Sequence, residues 1–502
     1  MMQNIRYIIL FFIVGVAINA CKKGFDGDRK TVAPPETFMA VDTLFRTGEN
    51  RLTTRVDAYW WGNSVGGIIV GYEVSTDNMQ SWHFTTKQDS SFLLKIPPGK
   101  DSADVVVYVR AIDHLGQIDP SPASTLYPIK NSRPEIRFIF SLALAGIPSQ
   151  NPVNVFPVLK YNIFGSDPDG ADDLKEFELY INDTNTQPYI IAANTNAFTL
   201  VAKNTGADSS ECSVYINSSN TPLIPQIKYL RLNQNNTIYI RAVDKAISKS
   251  GFVATPEIWV RKIAGNTLIV NAYSSNKNFV QNFYCNTLKS IGITVFDTLQ
   301  ATEIVNNNYT QLQPDFQTQS RTFALFKNIV WFGDDVNFSL PLGQRSTSDF
   351  FNKGGSLFMS VAINSSFDPL SNFLDWTPIK NLVNPPANAV FRVNINALVN
   401  PVYVGWPTIK STVIIASARP FELPSNTATV GYDSLYYGGI IESVTGNPPV
   451  PWTGISTVLG KRYSIANNKT NFVISSLPLE RFNGNNNTDS MFKRILIDEL
   501  GF

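Results

Sequence analysis

The sequence predicts a multidomain protein in which two all-β sandwiches precede an α/β three-layer domain. Up to about residue 262, short runs of alternating polar and apolar residues are separated by Gly, Pro, Asn and Asp, which is typical of β-sandwiches. After Ala264, short continuous apolar runs alternate with helical spacing, which indicates a mostly parallel sheet covered by helices. The length of 502 residues agrees with roughly three domains.

An apolar run near the N-terminus ends shortly before Cys21. The run covers about 11–14 residues, which is shorter than the roughly 20 residues needed to span a bilayer, and it follows a basic start. This pattern resembles a bacterial lipoprotein signal peptide with its lipobox. The resemblance implies a signal peptide over residues 1–20, a lipidated Cys21 with a linker to residue 33, and a mature protein lipid-anchored to the cell envelope at the outer membrane.

Composition limits the partners and the redox chemistry of the chain. Charged residues make up 16% of the sequence and the net charge is +1, so we expect no nucleic-acid partner. The 33 Phe and 19 Tyr suit aromatic β-strands. Cys212 and Cys285 lie in different predicted domains, so we expect no disulfide between them, and no cysteine spacing indicates zinc.

The first sandwich is predicted over residues 34–131. Its strands are expected at residues 53–61, 67–75, 92–96 and 104–112. Because consecutive side chains on a strand face opposite sides, either Trp60 or Trp61 is expected in the core, and Trp82 is a further candidate.

An internal repeat predicts a second sandwich over residues 132–262. Tyr108–Asp113 has the pattern Tyr-x-Arg-Ala-x-Asp, and the same pattern returns at Tyr239–Asp244. A second landmark, residues 71–74 and then 176–179, precedes each copy in the same order. The pattern resembles fibronectin type III and related Ig-like domains, which implies that the Tyr and Ala face the core while the Arg and Asp begin a turn.

Residues 167–173, in the second predicted sandwich, form the densest acidic cluster of the chain, which we call the acidic loop. It contains four carboxylates, those of Asp167, Asp169, Asp172 and Asp173. Loops rich in oxygen ligands can hold Ca²⁺, so these residues are a candidate calcium site and the only cofactor site that the sequence offers. The alternative is that Asp-Pro-Asp-Gly is simply turn chemistry.

The third domain is predicted over residues 263–502. A helix is expected over residues 279–291, a helical stretch around residue 350 and a closing helix over residues 491–502. The expected strands are Asn266–Tyr273, Ile293–Phe296, Asn328–Phe332, Ser356–Ser360 and Val413–Ser417.

Three segments of this domain resemble class I glutamine amidotransferase-like domains, which implies a flavodoxin-like layout. They are residues 329–335, residues 351–357 with their Gly-Gly step, and residues 475–479 before the closing helix. Active members of that family use a cysteine nucleophile on a tight turn with a histidine and a glutamate. Here Cys285 falls within a predicted helix and both histidines lie in the first sandwich, so we expect a non-catalytic relative.

Two groups of residues remain as candidate ligand contacts. Asp334 and Asp335 follow a predicted strand at the edge where open α/β sheets bind ligands; the favoured alternative is that they are a helix N-cap and a first-turn acid. Trp376, Trp406 and Trp452 lie in loop-rich segments, where rings could stack on sugars or could pack into the domain.

The sequence therefore predicts a lipid-anchored envelope protein with a binding role, whose partner is a glycan or an envelope protein. One alternative is a hydrolase that uses carboxylates such as Asp334 on a glycan or envelope polymer. Another is a structural subunit of an envelope assembly.

Overall fold

The structure is a computed structural model that describes residues 33–40, 51–139, 141–142, 148–149, 152–306, 308–364, 367–368 and 372–502. The described residues form two compact units. Unit 1 contains the residues up to Glu135 together with Ser166–Lys175 and Ala242–Ser250, and unit 2 contains the rest. The predicted signal peptide and Cys21 lie outside the described residues.

Seven strands build the first sandwich, in unit 1. Strands β1 to β7 are Glu36–Met39, Arg55–Asn63, Ile69–Ser75, His83–Thr85, Asp89–Leu93, Ser102–Asp113 and Ala123–Lys130. One sheet has the order β1-β2-β5 and the other β4-β3-β6-β7, and all the pairs are antiparallel. Two facing sheets of three and four strands form a fibronectin type III-like sandwich.

The period of two along β2 decides which tryptophan enters the core. Val56, Ala58 and Trp60 are buried, and Trp60 is only 2% exposed. The neighbouring Trp61 is 49% exposed because its side chain leaves the opposite face of the strand. Trp82 is not in the core but is half-buried against the guanidinium of Arg110, 4.0 Å from the ring centroid.

The second sandwich repeats this plan with more strands. Strands β8 to β21 are Glu135–Ile139, Ser141–Leu142, Pro148–Ser149, Asn154–Val155, Val158–Ser166, Leu174–Ile181, Tyr189–Ala192, Ala197–Ala202, Ser209–Ile216, Leu223–Arg231, Gln234–Asn236, Ile238–Asp244, Val253–Ala254 and Ile258–Val260. A sheet of order β17-β16-β15-β12-β8 accompanies a sheet of order β14-β13-β19-β20.

The sequence repeat corresponds to a repeated ion pair. In the first sandwich, Arg110 on β6 pairs with Glu73 on β3 at 2.7 Å. In the second, Arg241 on β19 pairs with Glu178 on β13. The arginine of the Tyr-x-Arg-Ala-x-Asp pattern therefore joins neighbouring strands in both copies.

The third domain contains the remaining strands and all five described α-helices. Strands β22 to β37 are Thr267–Ala272, Asp297–Gln300, Ile304–Val305, Asn308–Tyr309, Asn328–Gly333, Ser356–Val361, Asn381–Leu382, Ala389–Val393, Leu398–Pro401, Ile409–Lys410, Phe421–Glu422, Val430–Tyr437, Ile440–Val444, Val450–Pro451, Thr457–Ser464 and Lys469–Ser475. Helices α1 to α5 are Lys277–Ser290, Phe316–Phe323, Val336–Ser346, Ser348–Asn352 and Thr488–Phe492, and a π-helical segment, Lys493–Glu499, continues α5.

A nine-stranded mixed sheet forms the centre of this domain. Its order is β23-β22-β26-β27-β37-β36-β33-β30-β31. The first five strands are parallel and the other four pair antiparallel. Every residue of β22, β26 and β27 is buried, because α1 and α5 pack on one face and α2, α3 and α4 on the other. This double cover explains the continuous apolar runs.

Three predictions for this domain were wrong in detail. The sheet is mixed rather than mostly parallel. The strand expected at Ile293–Phe296 lies four residues later, since the Ile293 amide still bonds to the Leu288 carbonyl at the end of α1. Val413–Ser417 is not a strand, and only Ile415 makes a bridge, to Val393.

Within unit 2, the second sandwich packs directly on the α/β domain. The rings of Phe156 and Phe326 meet edge to face at 5.2 Å. Arg321 on α2 donates to the Ser219 carbonyl at 2.7 Å and lies over the ring of Tyr215 at 4.1 Å. Among the described residues, no helix is both long enough and apolar enough to span a bilayer.

Candidate functional site

The acidic loop brings three of its four predicted metal ligands together. Asp167, Asp169 and Asp173 each place a ligand oxygen within 4.8 Å of the other two. The loop joins β12 to β13 and belongs to unit 1. Asp172 is exposed and pairs with Lys95 at 3.3 Å, so it has a different partner from the other three.

Hydrogen bonds from Thr54 and Ser132 orient the central carboxylate. The hydroxyl of Thr54 donates to Asp169 Oδ1 at 2.7 Å, and the Ser132 amide donates to Asp169 Oδ2 at 2.6 Å. The Asp169 amide itself donates to Asp167 Oδ1 at 2.8 Å. The loop is therefore fixed both internally and by its neighbours in unit 1.

Burial makes this cluster electrostatically unfavourable as it stands. Asp167 is 8% exposed, and its Oδ2 atom is buried with no hydrogen-bond partner. The pKa of Asp167 is raised to about 6, mainly by burial, with smaller contributions from the charges of Asp169, Asp173 and Asp244 that act against the amide bond from Asp169. The pKa of Asp173 is raised as well, first by burial and then by Asp169.

A second group of polar residues lies where the parallel strands of the α/β domain end. Asp334, directly after β26, accepts hydrogen bonds from the amide and hydroxyl of Ser274, both at 2.8 Å. Asp335 is the N-cap of α3 and accepts the Asn337 amide at 2.8 Å. Both carboxylates thus have a local structural partner.

Two further polar residues lie at the same end of the parallel strands, Tyr273 and Glu480, which no sequence pattern indicates. The Tyr273 hydroxyl donates to Glu480 Oε1 at 2.7 Å. The Glu480 side chain is 1% exposed, and burial raises its pKa. The two residues are separated by 207 positions, so only the strand order brings them together, and no local pattern signals the contact.

The three tryptophans predicted as ligand platforms are half-buried. Each ring packs against another aromatic ring of the same domain, at centroid distances of 4.8–5.9 Å: Trp376 with Phe472, Trp406 with Tyr436, and Trp452 with Phe391. The insertions that carry these tryptophans therefore use them as packing residues.

Exposed aromatic residues occur on all three domains, and two of them stack on each other on the first sandwich. Phe38 and Trp61 stack at 5.7 Å with an interplanar angle of 16°, and Tyr59 is 56% exposed. All three project from the outer face of the sheet β1-β2-β5, and we call them the aromatic face. Asp57, two residues before Tyr59, bonds to Ser91 and adds polar groups beside the rings.

In the part of the chain that the structure describes, the thiols are buried or half-buried, and both histidines belong to the first sandwich. Cys212 is buried, and burial raises its pKa to about 12. Cys285 lies on α1 with a raised pKa, also because of burial, and both thiols are free. His83 and His114 belong to the first sandwich.

Comparison with known proteins gives only distant structural similarity. No protein-family model matches the chain, and no curated protein matches it. Fibronectin(III)-like modules of Clostridium thermocellum CbhA match with 11% identity and a TM-score of 0.16, over 44% of this chain and 94% of that one. The chicken interferon gamma receptor alpha chain matches with 9% identity and a TM-score of 0.18, over 42% and 95%. Because these TM-scores are below 0.5, the sandwich fold is assigned from the strand pairing.

Proposed function

We propose that this chain is an exported envelope lipoprotein, anchored in the outer membrane through lipid on Cys21, that binds a ligand without catalysing a reaction. The apolar run and the small residues before Cys21 support the anchor. A polar linker then separates the anchor from the first sandwich, which leaves the folded domains free of the membrane surface.

The observation that carries the non-catalytic part of the proposal is the bonding at the sheet edge. Asp334 is held by Ser274, Asp335 caps α3, and Glu480 is buried against Tyr273. A catalytic acid or base must reach its substrate within hydrogen-bonding distance. Asp334 and Asp335 already accept hydrogen bonds from the chain, and Glu480 is buried below the surface.

The proposed relationship to amidotransferase-like domains draws support from the strand order. Counted along the domain, the five parallel strands stand in the order 2-1-3-4-5, which is the order of flavodoxin-like sheets. In such sheets the ligand site lies at the carboxyl ends of the strands. We propose that this chain keeps the flavodoxin-like strand order, while Asp334, Asp335 and Glu480 at the carboxyl ends of the strands have structural roles.

The ligand class that the exposed residues favour is a glycan. Flat aromatic rings offer a large rigid contact area at low entropic cost, and contiguous exposed apolar surface often marks an interaction site. The aromatic face combines stacked rings with the neighbouring carboxylate of Asp57.

We expect Trp61→Ala to weaken glycan binding by about 5- to 30-fold, since an aromatic anchor contributes about 1–2 kcal/mol. The measurement is a glycan array with the mature protein, followed by titration of the best ligand. Phe84→Ala is the matched control, because Phe84 is 60% exposed on the other sheet of the same sandwich. Equal binding by wild type and Trp61→Ala would refute the aromatic face as the site.

A carboxylate hydrolase is the second candidate. Its specific support is that Glu480 is buried and Asp334 is half-buried, and that burial, with a small contribution from the charge of Asp334, raises the pKa of Glu480. Two carboxyl groups at this edge thus have different surroundings, as in acid–base pairs. The binding proposal predicts no turnover of a glycan and peptide panel by either wild type or Asp334→Asn. Turnover by wild type that is lost in a folded Asp334→Asn variant would instead establish the hydrolase.

A further inference from the structure

We propose that Asp167, Asp169 and Asp173 form a binding site for one divalent cation of the calcium type. This site is independent of both the anchor and the α/β domain, because all its members belong to unit 1. It therefore adds a metal-dependent element to the protein whether or not the proposed function holds.

The spacing of the three carboxylates suits a single ion. Their ligand oxygens all lie within 4.8 Å of one another. Ca²⁺ is bound by oxygens at about 2.3–2.6 Å, so two ligands on opposite sides of one ion are separated by roughly 5 Å. One ion can contact all three carboxylates without a rearrangement of the loop.

The second observation is the unpartnered oxygen of Asp167. Its Oδ2 atom is buried without a hydrogen-bond partner in a residue that is 8% exposed. A buried polar atom without a partner costs free energy, and the cost is larger for a charged group. Lys95 pairs with the exposed Asp172, and a bound cation would supply the partner that the Asp167 Oδ2 atom lacks.

The chemistry of the donors selects the class of metal. All three ligands are carboxylate oxygens, and the free thiols Cys212 and Cys285 belong to unit 2. Oxygen-only sites suit Ca²⁺, whose coordination is flexible, better than zinc, which prefers nitrogen and sulfur. Mg²⁺ requires near-octahedral geometry and retains water, so we expect it to bind more weakly.

The two sandwiches provide an internal comparison. In the first sandwich, the turn that corresponds to this loop is Asn63-Ser64-Val65-Gly66 and contains no carboxylate. The turn therefore forms without acids, and three clustered carboxylates in the second copy are an addition that the sandwich itself does not require.

Binding is expected to stabilise unit 1. Thr54 of the first sandwich and Ser132, between β7 and β8, hold Asp169, so an ion that fixes Asp169 also fixes the loop to its neighbours. A ligand that binds only the folded state raises stability with its concentration. At about 100 times Kd, we expect the thermal midpoint of unit 1 to rise by roughly 5–10 °C.

The test is calorimetric titration of the whole mature protein with CaCl₂ and with MgCl₂ after treatment with a chelator. We expect one Ca²⁺ per chain in the wild type. Asp167→Asn and Asp173→Asn should each lower the affinity at least tenfold, whereas Asp172→Asn, in the same loop but outside the cluster, should bind as the wild type does.

Three results would overturn the proposal: no Ca²⁺ binding or thermal shift in the wild type up to 10 mM, wild-type affinity in both cluster variants, or an equal loss in Asp172→Asn. If Asp167→Asn does not fold, Asp173→Asn still decides the matter, since Asp173 is half-buried and its replacement is mild.

Discussion

Glu178→Gln is expected to destabilise the second sandwich more than Glu73→Gln destabilises the first. Both glutamates pair with the arginine of the repeated pattern, but their burial differs. The Glu178 side chain is 6% exposed and that of Glu73 is 22% exposed. Glu178 also accepts the Tyr180 hydroxyl at 3.0 Å, so its loss affects two donors, the buried Tyr180 and the half-buried Arg241.

The size of the difference follows from desolvation. Removal of one partner of a buried pair leaves an uncompensated charge and costs about 3–5 kcal/mol, whereas exposed pairs contribute about 0–1 kcal/mol. The arginines left behind are similarly exposed, 26% for Arg110 and 22% for Arg241, so the difference comes from the deeper burial of Glu178 and its second donor, Tyr180. We therefore expect about 1 kcal/mol for Glu73→Gln and about 2 kcal/mol for Glu178→Gln.

Differential scanning calorimetry of the mature protein measures this contrast. The transition that contains the second sandwich should move down by several degrees in Glu178→Gln, and the matched substitution Glu73→Gln should produce a smaller shift. Equal shifts would mean that burial does not distinguish the two pairs, and a smaller shift for Glu178→Gln would contradict the explanation.

Local patterns were sufficient to predict much of the fold. Alternation along β2 placed one of two adjacent tryptophans in the core, and the structure identifies it as Trp60. The apolar runs that became β22, β26 and β27 were located to within one or two residues, because strands buried on both faces leave a continuous signal. The repeat correctly indicated a second sandwich.

Contacts between residues far apart in the sequence could not be predicted from local patterns. The contact between Tyr273 and Glu480 depends on the order of strands in the sheet, which short motifs do not encode. The same holds for β30, β33 and β36, which turn a parallel sheet into a mixed one. The stacked pair of Phe38 and Trp61 depends on the register of β1 against β2, so the sequence alone suggested the half-buried tryptophans of the third domain instead.

The acidic loop is an intermediate case. Its carboxylates were recognised from the sequence because they are close along the chain. The sequence did not show which three of the four carboxylates cluster, or that Asp172 pairs with Lys95 instead. Both depend on the path of the loop backbone. The roles of Thr54 and Ser132 could not be predicted, since they lie 115 and 37 positions from Asp169.

We propose that lipid on Cys21 anchors the protein, and loss of this anchor should have the largest cellular effect. Each buried CH₂ group of an acyl chain contributes roughly 0.8 kcal/mol to membrane affinity. Without the Cys21 thiol, no lipid can be attached at this position, so Cys21→Ser should release nearly all of the protein from the membrane.

Fractionation of cells after labelling with a palmitate analogue tests this claim most directly. Wild type and the control Cys285→Ser, which removes a different thiol, should both be labelled and sediment with the membranes. Cys21→Ser should be unlabelled and remain in the supernatant. A wild-type protein that is soluble and unlabelled, or a Cys21→Ser variant that stays with the membranes, would contradict the account.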